Sequence, residues 1–245
     1  EMGGKNAIIV MDDADLDLAL SYMIWSSFGT SGQRCTAASR IIIHKAVVEE
    51  LTQRFVEATK KLRLGHGLEP DTDIGPVVNA EQVEKIARYV KIGTDEGAKL
   101  LVGGRRATSG NLSKGYFFEP TIFGQVTPRM RIAQEEIFGP VTAIIEVGSQ
   151  AEAIAVNNDT PYGLVTGFFS RDVNKGLSAV EDITTGIVYL NAGTIGAEVH
   201  LPFGGTRGTG NGHREAGQAA LEVYTEWKTV YLDYSGALQK AQKID

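Results

Sequence analysis

The fold of this chain is decided by residues 6–43, which read NAIIVMDDADLDLALSYMIWSSFGTSGQRCTAASRIII. Residues 7–10 and 41–43 are short apolar runs, and each predicts a buried strand. Between them Asp12 and Asp13 offer a helix N-cap. The apolar residues that follow at helical spacing are Leu16, Leu20, Met23 and Ile24. Two buried strands separated by an amphipathic helix indicate a parallel β-α-β unit.

The same alternation of strand and helix patterns continues along the chain. Further strands are predicted over residues 100–102, 141–147, 165–169 and 187–190, and further helices over 48–62, 83–90, 151–156, 173–180 and 215–224. We therefore predict an α/β fold with a largely parallel sheet and flanking helices. An alternating segment over residues 229–234 predicts a final strand. It is either an edge strand of the same sheet or a strand that pairs with a neighbouring subunit.

Composition excludes several classes of protein. Of the 245 residues, 42% are hydrophobic and 22% are charged, as in an ordinary soluble globular protein. Lys and Arg number 24 against 30 Asp and Glu, so the net charge of −6 offers no cationic field for nucleic acid. No apolar run reaches 18 residues, so no membrane span is predicted. The single cysteine excludes an intramolecular disulfide and fits a reducing, cytoplasmic compartment.

Cys35 is the first candidate for chemistry. It follows a glycine-rich polar turn that includes Gly29 and Gly32, and it does not lie inside an apolar run. These surroundings favour a nucleophile over a small buried hydrophobic residue. A free thiol is mostly protonated at neutral pH, so a nucleophile needs help, and the adjacent Arg34 is expected to favour the thiolate. The four histidines show neither a catalytic pattern nor metal-ligand spacing, so no metal site is predicted.

Three other segments carry candidate site residues. Residues 1–6, Glu-Met-Gly-Gly-Lys-Asn, place a carboxylate beside two glycines, as a general base or as a solvated acid. Residues 134–140 precede a strand, and there Glu136 either accepts hydrogen bonds from a ribose beside Phe138 or is, with Glu135, a solvated acid before a turn. Residues 202–215 contain five glycines (204, 205, 208, 210 and 212) and predict a structured loop that shapes a pocket. Because no G-x-G-x-x-G or P-loop motif occurs, a phosphate cradle is not expected.

In order and spacing, these segments resemble the aldehyde dehydrogenase superfamily. Residues 1–6 look like its general-base segment, and residues 32–35, Gly-Gln-Arg-Cys, look like its nucleophile segment, with Cys35 lying 34 residues after Glu1. Residues 136–140 resemble its cofactor-ribose segment, and residues 202–205 and 212–215 resemble its pocket segments. Residues 224–230 resemble the run that enters its oligomerisation strand. The resemblance covers essentially the whole chain.

The resemblance implies a domain organisation. Residues 1–208 would form the catalytic domain, with residues 1–3 as the tail of a nucleotide-binding domain. Residues 209–245 would form a connecting helix and a C-terminal oligomerisation strand. Family members are about twice this length, so the chain, which begins with Glu1 and has no signal peptide, is interpreted as their carboxy-terminal half. The missing amino-terminal half would then carry most of the NAD or NADP site, and we expect this piece alone to lack dehydrogenase activity.

The resemblance also implies roles for individual residues. Cys35 would attack an aldehyde and pass through a thiohemiacetal to a thioester, which water activated by Glu1 would hydrolyse. Glu215 would be a secondary proton relay, and Glu136 and Phe138 would position the cofactor ribose. The implied substrate pocket consists of Arg34, Thr36, Gly196, Ala197 and Phe203. The implied partners are a small-molecule aldehyde, the missing half and further copies of the chain in a homo-oligomer.

Two matters stay open at the level of sequence. Residues 196–198, Gly-Ala-Glu, resemble the branch that acts on aminoadipate semialdehyde, whereas residues 199–201 and 226–228 depart from it. The substrate is therefore either a semialdehyde with a distal carboxylate, for which Arg34 and Arg207 are the basic residues near the loop, or a generic aldehyde. The alternatives to a dehydrogenase are a cofactor-independent thiol esterase and an interaction module that pairs through its last strand.

Overall fold

A seven-stranded sheet with helices on both faces forms the centre of the computed structural model, which describes residues 1–238. Its strands are β1 (Asn6–Val10), β2 (Ala38–His44), β3 (Lys99–Val102), β4 (Thr121–Gly124), β5 (Val141–Val147), β6 (Val165–Phe169) and β7 (Ile187–Leu190). Its α-helices are α1 (Leu16–Phe28), α2 (Val48–Lys60), α3 (Ala80–Asp95), α4 (Arg131–Gln134), α5 (Gln150–Asn158), α6 (Val173–Asp182) and α7 (Ala219–Tyr224). Short 3₁₀ helices span Gly110–Lys114 and Arg207–Thr209.

The order of strands across the sheet is β3-β4-β5-β2-β1-β6-β7. β3 runs antiparallel to β4, and every other neighbouring pair is parallel. The predicted α/β fold with a largely parallel sheet is therefore confirmed. The first two predicted strands pair directly as β1 and β2, with α1 as their crossover.

The apolar run of β1 is buried because both faces of the sheet are covered. Ala7 and Ile9 pack into the core cluster on one face, and Ile8 and Val10 into the cluster on the other. Helices α1 and α2 cover the second face, while α3, α5 and α6 cover the first. Period-two alternation carries every second side chain to the opposite face, so a strand buried on both faces must be apolar throughout.

Two predicted helix boundaries are wrong. The N-cap of α1 is Asp15, whose carboxylate accepts a hydrogen bond from Leu18 N at 3.1 Å, whereas Asp12 and Asp13 pair with Lys175. The helix predicted over residues 215–224 begins only at Ala219. Its first residues cannot be helical because they pair with the segment around residue 203 as an isolated antiparallel bridge.

The predicted final strand is not seen within this chain. Residues 225–234 adopt no strand and are exposed, so the interpretation as an edge strand of the same sheet is wrong. The edges of the sheet are β3 and β7. A strand needs a neighbour to satisfy its backbone groups, and pairing with another subunit requires a second chain. Of the predicted unit 209–245, residues 239–245 lie outside the described residues. No helix within residues 1–238 has the length and apolarity to cross a membrane.

Candidate active site

The segments predicted to carry chemistry meet at one edge of the sheet. Residues 1–5 lead into β1, residues 32–37 into β2 and residues 136–140 into β5. Because β5, β2 and β1 are adjacent and parallel, their amino-terminal ends lie side by side. The site is thus at the amino-terminal edge, whereas ligand sites of open α/β sheets usually lie beyond the carboxyl ends.

A cavity of about 510 Å³ opens at this edge. It is lined by Glu1, Gln33, Arg34, Cys35, Thr36, Phe138, Gly196, Ala197 and Phe203. Every predicted site residue except Glu136 and Glu215 therefore contacts the same cavity. A larger cavity of about 910 Å³ lies between α2 and the ends of β4 and β5, and none of the predicted site residues lines it. We place the candidate site at the cavity that Cys35 and Glu1 line.

Cys35 lies in a tight turn at the mouth of this cavity. Ala37 N donates to Arg34 O at 3.0 Å and closes the turn. The turn is held from below by Asn6, which is 3% exposed. Asn6 Nδ2 donates to Cys35 O at 2.6 Å and to Ala37 O at 3.0 Å. The half-buried thiol of Cys35 is free.

Two glycines allow the loops to approach this closely. A Cβ at Gly4 would lie 2.6 Å from Cys35 O, so any side chain there would displace the turn. Gly32 has a φ of +66°, and a Cβ there would clash with Gly139 O in the loop before β5. Only glycine fits both positions, because one needs close backbone approach and the other also needs a left-handed conformation.

The surroundings of Cys35 shift the pKa of its thiol. Burial raises the pKa of the Cys35 thiol, and the carboxylate charges of Glu1 and Glu136 raise it further. The backbone N–H groups of Thr36 and Cys35 lower this pKa in part. Arg34 is not among the largest causes of this shift, so its help to the thiolate stays a prediction. The thiolate must form with the help of backbone donors or a proton acceptor.

Glu1 is held over the cavity by the glycine-rich segment. Met2 N donates to Thr209 O at 2.7 Å, and the buried Thr209 hydroxyl donates to Gly3 O at 2.8 Å. The Glu1 carboxylate accepts a hydrogen bond from Gly3 N at 2.9 Å, and its side chain is 22% exposed. Glu215 lies behind it, with Oε1 3.7 Å from Glu1 N and a 65% exposed side chain. Its proton-relay role stays a prediction.

Phe138 lines the cavity, and Glu136 lies in a small pocket next to it that Phe138 also lines. Glu136 Oε1 accepts a hydrogen bond from Gly4 N at 3.0 Å, and its Oε2 bonds to no residue within 1–238. Burial raises the pKa of the Glu136 carboxyl, while the Gly4 hydrogen bond opposes this shift. Phe138 is 37% exposed, and Gln82 Nε2 donates to its carbonyl at 2.7 Å. A free carboxylate oxygen beside an aromatic ring fits the hydroxyl groups of a ribose.

Two cations lie buried beneath the site. Arg40 donates to Lys5 O at 3.0 Å, Val156 O at 2.9 Å and Asn157 O at 3.0 Å. Burial, followed by the charge of Arg40, lowers the pKa of Lys5 to about 7. Its Nζ bonds to no group in the described part of the chain. Sequence reasoning missed both cations because Lys and Arg are seldom fully buried. Across residues 1–238, no cluster of three His, Cys, Asp or Glu side chains could hold a metal ion.

A known protein family matches almost the whole chain, including the residues of the candidate site. The model of the aldehyde dehydrogenase family matches residues 1–230. The chain belongs to the aldehyde dehydrogenase family. It is 40% identical over 232 residues to alpha-ketoglutaric semialdehyde dehydrogenase from Bacillus subtilis, covering 95% of this chain and 48% of the relative. It is 42% identical over 233 residues to betaine aldehyde dehydrogenase from Brucella anthropi, with 95% and 47% covered.

Solved structures of this family share the fold. A double mutant of betaine aldehyde dehydrogenase from Staphylococcus aureus in complex with NAD⁺ matches with a TM-score of 0.95 and 35% identity, covering 99% of this chain and 49% of that one. A second NAD⁺ complex of that enzyme matches with a TM-score of 0.89 and 38% identity, over 91% and 44% of the two chains. This aldehyde dehydrogenase chain thus spans about half the length of the relatives it matches.

Three residues of the candidate site in this aldehyde dehydrogenase chain were not predicted. Gln33 lines the cavity, and its Oε1 accepts from Val78 N at 2.9 Å. Asn6 holds the nucleophile turn, and Gln82 on α3 holds the Phe138 loop. A polar residue at the start of an apolar strand is a local signal that could have indicated Asn6. Nothing in the sequence near Gln82 indicates its contact, which reaches a loop 56 residues away.

Proposed function

We propose that the protein containing this chain oxidises an aldehyde to a carboxylic acid with NAD or NADP. The observation that carries the proposal is that Cys35 and Glu1 line one cavity whose wall includes Phe138. The NAD⁺ complexes of the structural neighbours support an NAD-type cofactor. A separate nucleotide-binding half, and the choice between NAD and NADP, stay predictions.

The residues present provide both halves of such a reaction. The Cys35 thiolate adds to the aldehyde carbon, and the backbone N–H of Cys35 would stabilise the resulting oxyanion. A bound nicotinamide would supply the hydride acceptor for this thiohemiacetal carbon. Glu1 then takes a proton from water, and the hydroxide displaces the Cys35 sulfur from the thioester. The acid leaves, and the thiolate is restored. Glu136 and Phe138 would hold the ribose against the cavity.

The lining of the cavity includes one carboxylate, Glu1, and one guanidinium, Arg34, and this guanidinium favours one class of aldehyde. The exposed Arg34 lines the cavity, and its guanidinium makes no hydrogen bond or ion pair with any residue in the range 1–238. Arg207, in contrast, donates to Tyr162 O and Thr184 and does not line the cavity. An unpaired guanidinium is a carboxylate-binding group and repels cations. We propose a semialdehyde with a distal carboxylate as substrate, in preference to a cationic aldehyde such as betaine aldehyde.

We expect kcat/KM for alpha-ketoglutaric semialdehyde to exceed that for betaine aldehyde by about tenfold or more in the complete protein. The reason is that the cationic aldehyde has no carboxylate to accept a charge-assisted hydrogen bond from Arg34.

Arg34→Met should raise KM for the anionic aldehyde by about tenfold and change KM for butyraldehyde by no more than about twofold. The absorbance of NADH at 340 nm measures the rate of oxidation of each aldehyde. Arg171→Met, at an exposed ion pair remote from the cavity, is the matched control. An equal rise in KM for the anionic aldehyde and for butyraldehyde would reject Arg34 as the group that binds the substrate carboxylate.

We also propose that the terminal segment pairs with a second copy of the chain. Strand β7 is an edge strand, and residues 225–234 carry Trp227, Tyr231 and Tyr234, each more than 90% exposed. An open strand edge and an unpaired apolar segment favour β-sheet pairing between chains. Deleting residues 228–245 from the complete protein should lower the mass found by light scattering to that of a smaller species. An unchanged mass would contradict the pairing.

A further inference from the structure

Asn6 occupies an unusual position between the core and the nucleophile. It is the first residue of β1, is 3% exposed and accepts a hydrogen bond from Val165 N through Oδ1 at 3.2 Å. Its Nδ2 reaches across to β2 and donates to the carbonyls of Cys35 and Ala37. All three contacts are with backbone atoms. The carboxamide therefore connects β6, β1 and the turn containing Cys35. Its partners are backbone atoms, which have no side-chain rotamers.

The contact with Cys35 O determines the orientation of one peptide unit. The carbonyl of Cys35 and the N–H of Thr36 belong to the same trans peptide, in which the two groups point in opposite directions. If the carbonyl is held toward Asn6, the Thr36 N–H is directed away from the core. That N–H is one of the two backbone donors that lower the pKa of the Cys35 thiol. A donor on the carbonyl also polarises the peptide and strengthens its N–H as a donor.

The second contact fixes the same turn at its other end. Ala37 O accepts from Asn6 at 3.0 Å, while Ala37 N closes the turn onto Arg34 O at 3.0 Å. The pairing of β1 with β2 shifts register between Asn6 and Ala7, so the strand ladder is irregular beside the turn. The side chain of Asn6 supplies hydrogen bonds at this irregularity.

We propose that Asn6 is a positioning residue for the nucleophile, whose buried carboxamide holds the 34–37 turn so that backbone N–H groups face the Cys35 sulfur. This inference rests on the proposed function of Cys35. It assigns to Asn6 no contact with substrate or cofactor. The charged groups around the sulfur are the carboxylates of Glu1 and Glu136 and the neighbouring Arg34, and none of them is changed by substituting Asn6.

The test measures the reactivity of Cys35 directly. In the complete protein, Asn6→Ala should slow alkylation of Cys35 by iodoacetamide about fivefold at pH 7.5, the effect of losing one hydrogen bond to the thiolate. The rates of variant and wild type should converge at alkaline pH once the thiol is ionised in both. Asn6→Ser keeps one donor and should lie between them. In aldehyde oxidation, kcat should fall while KM is nearly unchanged.

A matched control separates positioning from loss of a buried amide. Asn157 is also fully buried, accepts a hydrogen bond from Thr166 at 2.9 Å and does not contact the turn. Asn157→Ala should lower stability and leave the pH profile of alkylation unchanged. If Asn6→Ala and Asn6→Ser both alkylate with the wild-type pH profile, the positioning role is overturned. That result is distinct from failure of the proposed function, which would appear as aldehyde oxidation that survives Cys35→Ala.

Discussion

Replacing Cys35 by alanine should reduce aldehyde oxidation by the complete protein about 10⁴-fold or more, since loss of a covalent nucleophile removes the pathway and leaves only binding and oxyanion stabilisation. The half-buried thiol contacts the cavity at the point where the carboxylate and the predicted pocket residues converge. Without sulfur no thiohemiacetal forms, so no carbon is prepared to lose a hydride. The measurement is NADH formation under saturating aldehyde and NAD.

The same variant tests the alternative esterase function. Release of p-nitrophenol from an activated ester should also fall to the background rate, because an acyl transfer at this site needs the same nucleophile. A melting temperature close to that of the wild type would show that the fold is intact. If the variant retains a tenth of either activity, Cys35 is not the nucleophile for that reaction. If both activities are absent from the wild type, the chain is better explained as an interaction module.

Replacing Glu1 by glutamine should stop the reaction after its first half. General-base catalysis typically contributes 10²–10⁴-fold, so we expect kcat to fall about 10²–10³-fold. A rapid burst of about one NADH per active site should survive, because acylation of Cys35 does not require the water-activating step. The thioester should then accumulate. Stopped-flow absorbance would measure the burst, and mass spectrometry of the peptide containing Cys35 would identify the acyl group.

A second readout concerns the thiol itself. Burial is the largest cause of the raised pKa of Cys35, and the charge of Glu1 is the next. Removing that charge lowers the pKa, so Glu1→Gln should alkylate faster than the wild type at pH 7. Slower alkylation would show that Glu1 deprotonates the thiol. Glu181→Gln, at an exposed position of α6 that does not line the cavity, is the matched control and should neither stall the burst nor change alkylation.

Much of the fold could be predicted because the apolar runs match strands buried on both faces. The predictions around β1, α1 and β2 are borne out in type and order. Helix α4 was missed because four residues are too few for a helical period to show, and the four-residue strand β4 was missed as well. The segment 229–234 was wrongly taken as a possible edge strand of this sheet. Alternation shows which residues suit a strand and does not show whether a neighbouring strand is available.

The sequence by itself determined which chemical groups exist and in what order. Cys35, Glu1, Glu136 and Phe138 were identified from their motifs, and the cavity contains three of these four. Only the tertiary structure decided that the loops before β5, β2 and β1 meet, because strand adjacency depends on pairing between residues far apart in the chain. It alone also decided that Arg34 has no partner within residues 1–238, that Asn6 holds the turn containing Cys35, and that burial raises the pKa of the Cys35 thiol. Desolvation and charge act through space, so these properties follow from neighbours that the linear order does not specify.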